Sequence, residues 1–206
     1  MRLESLQTGQ PRTISRAGLD GHQGEARTST VWKEPVVGRV WAGALGLSGD
    51  APGDDPDRAL LASAASHYPV WRKAWGVPDL GPGAFGENLT ISGWDERTVC
   101  LGDLFLIGDL RVEVSGPGRP SADLEVRHRR GGICAEMEAT GRWGWYFRVH
   151  NEAWLEPGLA VSLIDRPFPQ WPIDRVAQTI ADRRDGAELA GCPAFSDRWR
   201  ALLTVA

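Results

Sequence analysis

Cysteine, methionine and tyrosine are scarce in this chain of 206 residues, with three, two and two copies. Cys100, Cys134 and Cys192 are scattered and no Cys-x-x-Cys pair occurs. Neither a zinc ribbon nor a dithiol redox motif is therefore indicated, and reduced thiols in a cytoplasm are the expectation. No apolar run reaches the length of a membrane span, and Met1-Arg2-Leu3-Glu4-Ser5 has no apolar signal core. A basic excess is missing too. Lys+Arg 23 against Asp+Glu 27 leaves a net charge of -4, which argues against a general nucleic-acid binder. His22 and His150 lack metal-ligand spacing, and no metal site is expected. The acidic stretch Asp50 to Asp57 lacks the alternating Asp order and the following Glu of a calcium loop, so Asp54, Asp55 and Asp57 read as a solvated rim. A soluble cytoplasmic protein without nucleic-acid or membrane partners is expected.

Glycine (25), proline (14) and tryptophan (10) are plentiful. Gly and Pro at this density favour short strands and turns over long helices. Strands are expected at Arg2–Gln7, Val37–Val40, Arg58–Ala62, Val99–Leu101, Leu104–Ile107, Arg111–Val114, Trp145–Val149 and Leu159–Ile164. Gly102-Asp103 and Gly108-Asp109 supply hairpin turns. Segment 17–29 is polar and Gly-rich, a hairpin tip or a mobile loop. A helix from a Ser66 cap to Trp75 accommodates Pro69 in its first turn, and Gly76 stops it. Gly131-Gly132 divides 122–139 into two short helices. The spacing predicts a mainly β fold, a barrel or a sandwich, over 1–165. A Pro-rich linker and small helices follow over 166–206, and the Trp-rich tail is compatible with a homodimer.

The stretch around which the rest is arranged is Val114-Ser115-Gly116-Pro117-Gly118-Arg119-Pro120-Ser121. It leaves a strand, is held open by two glycines and two prolines, and carries one cation and one hydroxyl. A rigid loop at a strand end is a natural ligand site. Ser121 has two readings. It is a nucleophile if His67 or His128 stands near as base, or a helix cap with Asp123 in the first turn.

Several segments in order carry a family resemblance: Val31-Trp32-Lys33-Glu34-Pro35-Val36, Gly49-Asp50, Pro56-Asp57-Arg58-Ala59-Leu60, Phe85-Gly86-Glu87-Asn88-Leu89, Gly102-Asp103, Val114-Ser115-x-Pro117 and Gly144-Trp145-Tyr146-Phe147-Arg148-Val149. Together they resemble the MOSC domain, named for the C-terminal domain of molybdenum-cofactor sulfurase. The likeness is to the bacterial stand-alone branch linked to resistance to 6-N-hydroxylaminopurine. Pro172-Ile173-Asp174-Arg175-Val176 and Ser196-Asp197-Arg198-Trp199-Arg200 are similar to that branch's helical extension. The resemblance implies a β-barrel with flanking helices and a pterin-based molybdenum cofactor. It also implies a loop cysteine on the metal, basic residues on the phosphate, and reduction of N-hydroxylated compounds.

Three positions depart from that pattern. The family's loop reads Gln-Pro-Arg, two residues, then Cys; here Gly118 stands at the arginine and Ser121 at the cysteine. Gly53-Asp54-Asp55 replaces His-Gly-Gly before Pro56-Asp57-Arg58. Soft thiolate suits this metal and an alcohol is a poor substitute. The expectation is a divergent, small-molecule enzyme with a degenerate cofactor site and no cofactor. In it Lys33, Arg58, Phe85, Asn88, Pro117 and Arg119 bind the substrate, and Glu87, His67 or Ser121 carry the chemistry. A high-GC composition suits a bacterial source. Two alternatives stand beside it. One is a molybdopterin-dependent reductase of N-hydroxylated compounds, with Ser121 or Cys134 as replacement ligand. The other is a binding protein without turnover. Glu87 and Asn88 could equally be backbone caps, and Arg58 a partner of Asp57.

Overall fold

The structure, a computed structural model of the chain, describes residues 1–15 and 26–204. His22 and most of segment 17–29 lie outside the described residues. The chain opens with β1 (Arg2–Thr8), the hairpin strands β2 (Arg12–Ile14) and β3 (Arg27–Ser29), then β4 (Glu34–Pro35), β5 (Val40–Gly43) and β6 (Gly46–Leu47). A 3-10 turn, Pro56–Arg58, leads into β7 (Leu60–Ala64), α1 (His67–Trp75) and β8 (Leu89–Ser92). The meander β9 (Leu104–Ile107) and β10 (Leu110–Pro117) precedes α2 (Asp123–His128) and α3 (Ile133–Thr140). β11 (Trp145–Val149), β12 (Ala153–Leu155) and β13 (Val161–Asp165) complete the strands, and the tail carries α4 (Ile173–Asp182), α5 (Gly186–Ala190) and α6 (Asp197–Thr204).

Eight strands form one curled sheet in the order β13-β9-β10-β11-β7-β8-β1-β4. Its pairs are antiparallel except β7 with β8, which run parallel. The sheet curls back on itself. Leu3 N donates to Leu159 O at 2.9 Å, Val161 N donates to Met1 O at 3.2 Å, and Arg2 bridges Ala160, just before β13. Alternation along the strands drives this closure, because successive side chains face opposite sides. Leu3, Leu60, Ile91, Phe105, Val112, Val114, Trp145 and Phe147 turn inward and are buried in one cluster. Each large side chain so buried contributes roughly 1.5–3 kcal/mol. A second cluster covers the outside, where α1, α2 and α3 bring Trp71, Leu124 and Met137 against Phe85. In a third, the tail wraps Trp171, Val176, Phe195 and Trp199 around Leu101.

Several expectations about local structure are corrected: the strand expected at Val37–Val40 lies at Val40–Gly43, and the one expected at Arg58–Ala62 starts only at Leu60, after the 3-10 turn. Val99–Leu101 is not a strand; it passes under the tail, where Cys100 bridges Pro172 and Leu101 N bonds to Trp171 O at 2.9 Å. The strand expected to end at Val114 continues to Pro117, pairing Gly116 with Tyr146 and Pro117 with Trp145. It continues because the register shifts between Val114 and Gly116, so Ser115 is an extra, bulged residue. The bulge turns the Ser115 hydroxyl onto the main chain, where it donates to Asp57 O and approaches Tyr146 O at 3.3 Å. The open part of the loop thus begins only at Gly118, aimed at the turn that carries Arg58.

Candidate functional site

The Pro56–Arg58 turn is locally encoded. Asp55 Oδ1 accepts from Asp57 N at 3.0 Å and Pro56 occupies the first helical position, where its missing N–H costs nothing. Asp57 is held by Arg148 Nε at 2.8 Å, so it is not the partner of Arg58. Arg58 Nη2 instead donates to Tyr146 Oη at 2.7 Å, with the guanidinium 4.6 Å from the centre of the same ring. Tyr146 stands on β11 between the inward-facing Trp145 and Phe147, so the period of two puts it on the outer face.

This pair separates two cavities. One, of about 230 Å³, is lined by Arg58, Arg119, Ser121, Tyr146, Arg198 and Trp199, with Pro120 and Leu202. The other, of about 390 Å³, is bordered by Arg58 and Tyr146 together with Lys33, Asp50, Asn88 and the acidic rim Asp54-Asp55. Arg58 and Tyr146 line both.

In the larger cavity Lys33 is buried and ion-paired with Asp50. Burial lowers the Lys33 ammonium pKa below the ordinary lysine value, and Asp50 offsets part of that. Asp50 is itself tied down, since its oxygens accept from Gly9 N at 2.9 Å and Asn88 Nδ2 at 2.6 Å. Asn88 Oδ1 accepts from Leu61 N at 3.1 Å. Asn88 therefore straps β7 to the Lys33–Asp50 pair while one edge faces the cavity.

In the smaller cavity Ser121 Oγ accepts from Asp123 N at 3.2 Å, a local turn bond just before α2, whose N-cap residue is Ala122. Arg119 is exposed on the loop, and Arg198 reaches the cavity from α6. Among the described residues, no carboxylate pairs with Arg58, Arg119 or Arg198.

Other residues expected at the site stand apart. Glu87 is fully buried and lines neither cavity. It accepts from the Tyr68 hydroxyl, Gly83 N at 2.7 Å, Phe85 N at 3.0 Å and Thr90 Oγ1 at 3.1 Å. Burial pushes its carboxyl above the usual range, against the pull of the Tyr68 hydroxyl and the backbone donors. Phe85 packs with Tyr68 at 5.2 Å between ring centres. Pro117 is buried in the strand against Trp145. His67 lines a different cavity, of about 330 Å³, with its Nε2 3.0 Å from Glu96 Oε2. His128 points its Nε2 to Ala84 O at 2.8 Å and lines neither the Arg58 cavity nor its neighbour.

Four participants escaped the sequence reading: Tyr146, Asp50, Arg198 and Trp199. Tyr146 was detectable from the inward phase of Trp145 and Phe147. Asp50 looked like a turn residue, and nothing local marks Arg198 or Trp199 as reaching the loop.

Comparison with known proteins adds the relationship. The family model described as MOSC domain matches residues 34–162. The uncharacterized protein YflK of Bacillus subtilis is 32% identical over 167 residues, covering 79% of this chain and 72% of that protein. A protein named reductase from Gibberella moniliformis is 34% identical over 192 residues, covering 88% of this chain; the chain spans only 34% of that relative. The crystal structure of YiiM from Geobacillus stearothermophilus superposes with a TM-score of 0.81 at 31% identity, covering 98% of this chain and 96% of that one.

Proposed function

The chain belongs to the MOSC domain family, and on that premise we propose that it is a divergent enzyme of this fold that acts on a small organic molecule without a molybdenum centre. The observation that carries the reading is the Arg58–Tyr146 pair between two cavities. Tyr146 Oη accepts the Arg58 N–H, so its own proton is left to donate to a ligand. A phenol donor beside an arginine is suited to a carbonyl or an oxyanion, which it would stabilise as charge develops. Arg119 adds positive charge on the side of the smaller cavity, whereas the Lys33 charge on the other side is matched by Asp50. Tyr146 takes the proton-handling role in this reading, because Glu87 and His67 stand outside both cavities.

The residues present do not fit the family's molybdenum group. Its expected soft ligand is replaced by the Ser121 hydroxyl, which already accepts from Asp123 N. None of the three cysteines lines either cavity. The arginine of the family's loop has no room at Gly118, where a Cβ would overlap the carbonyl oxygen of Trp143. The Gln of that loop has none at Gly116, where a Cβ would lie 2.5 Å from Trp199 Cδ1.

The reductase name of the Gibberella relative favours the alternative, a molybdenum-dependent reductase. One measurement separates the two: molybdenum and pterin content of wild type and Ser121→Cys, purified from a host that makes the cofactor. Wild type is expected to carry no stoichiometric molybdenum. Stoichiometric molybdenum in wild type overturns the proposal.

A further inference from the structure

The smaller cavity is completed by the C-terminal helix, which lies beyond the residues matched by the family model. Trp199 is only 6% exposed, yet its indole Nε1 is a buried donor with no partner among the described residues. That N–H is turned to the loop, 2.7 Å from where a Cβ at Gly116 would stand. Glycine at 116 makes this placement available, since the indole sits where a side chain at that position would start. Helix α6 is fixed there from its own start: Ser196 N donates to Ser115 O at 3.3 Å and Arg200 Nη2 to Phe195 O at 2.9 Å.

The lining then divides by chemistry. Arg58, Arg119 and Arg198 contribute three guanidinium groups, and among the described residues no carboxylate lines the cavity with them. Pro120, Trp199 and Leu202 form an apolar side, with the Tyr146 ring beside Arg58. Planar guanidinium forks match planar oxyanions and are weakly hydrated enough to act next to aromatic rings. A bare inorganic ion would leave the apolar side unused. A neutral aromatic would leave the three cations unused.

We propose that Arg198 and Trp199 of the C-terminal helix, with Arg58 and Arg119, form a binding site for the carboxylate of a small aromatic acid, the acid group among the arginines and the ring against Trp199 and Leu202. The proposal deepens the function above and rests on its reading that the cavity beside Ser121 serves the substrate.

The test is titration of the full chain with benzoate, benzamide and inorganic phosphate, following affinity by calorimetry and the Trp199 indole N–H by NMR, assigned through Trp199→Phe. Benzoate is expected to shift the Trp199 signal, and benzamide to bind about tenfold more weakly or worse. Arg198→Ala, at an exposed position that leaves the core intact, is expected to weaken benzoate by a similar factor. Arg97→Ala, outside the cavity, should leave it unchanged. Absence of benzoate binding, benzoate binding that Arg198→Ala does not alter, or phosphate binding more tightly than benzoate at the same residues would each overturn the proposal. Molybdenum is measured on the same samples. Stoichiometric metal refutes the metal-free reading whatever benzoate does, and lost benzoate binding in metal-free protein refutes the aromatic-acid site alone.

Discussion

Arg58 and Tyr146 hold one another from two directions, the guanidinium donating to the phenol oxygen at 2.7 Å and lying 4.6 Å from its ring centre. Both residues border both cavities. Rigid placement of this kind is what a preorganised donor requires, because little reorganisation remains when a ligand arrives.

Tyr146→Phe keeps the ring stacked under Arg58 and removes only the hydroxyl. The stability cost is expected to be about 1 kcal/mol, that of one partly buried hydrogen bond. Ligand binding or turnover should fall by about tenfold or more, because the donor to the ligand is gone. Urea unfolding read beside ligand titration checks it; equal ligand affinity in both proteins removes Tyr146 from the site.

Glu87 is expected to be a structural carboxylate. Its replacement by alanine strands the Tyr68 hydroxyl and the amides of Gly83 and Phe85 in the interior. A loss of about 3 kcal/mol or more should follow, seen as a lower urea midpoint or insoluble protein. A Glu87→Ala protein as stable as wild type but inactive would restore the acid/base role.

Lys33 gives a pH signature. Its folded pKa lies below the ordinary lysine value because burial disfavours the charged form. The unfolded chain therefore binds more protons between the two values. Stability from this group is lost as pH falls through the depressed folded pKa and is fully present above the unfolded one. Wild-type stability should rise relative to Lys33→Met as pH climbs through the alkaline range toward about 10.4, the ordinary lysine value. At neutral pH the variant should lose about 3–5 kcal/mol, since Asp50 stays buried without its cation. A pH-independent difference between the two proteins sinks this account.

Gly116→Ala tests the docking of the tail on the loop. Its Cβ would stand 2.5 Å from the Trp199 ring, so the helix must shift. The cost is expected to be about 1–3 kcal/mol, the range for overpacking. It should appear as faster hydrogen exchange across α6 with the barrel strands unchanged. Unchanged exchange in α6 would show that Trp199 is not pressed on the loop.

Much of the scaffold was legible because its signals are local. Helix α1 runs from His67 to Trp75, after Ser66 and with Pro69 in its first turn, and Gly76 closes it at a φ of 68°. Gly108 takes a positive φ in the β9–β10 hairpin. The glycine pair divides α2 from α3 as expected, and Gly132 itself precedes α3 at a φ of 83°. Errors fell where long-range pairing outweighs propensity. Val99–Leu101 has strand composition, yet its amide partners come from the tail. β12 was missed because three residues carry too little pattern, and pairing with β5 is what makes Ala153–Leu155 a strand.

The sequence alone determined the strand-and-turn grammar, the family resemblance, and the glycine- and proline-rich loop that precedes α2. Each rests on neighbours within a few residues or on motif order. Only the tertiary structure decided that Glu87 is sealed in the interior, that Lys33 belongs to Asp50, that Arg58 belongs to Tyr146 and not to Asp57, and that Arg198 and Trp199 close over the loop. These pairings join segments far apart in the chain. Closing long loops costs entropy that packing must offset, so they depend on how the barrel and tail bury one another, which no local pattern records.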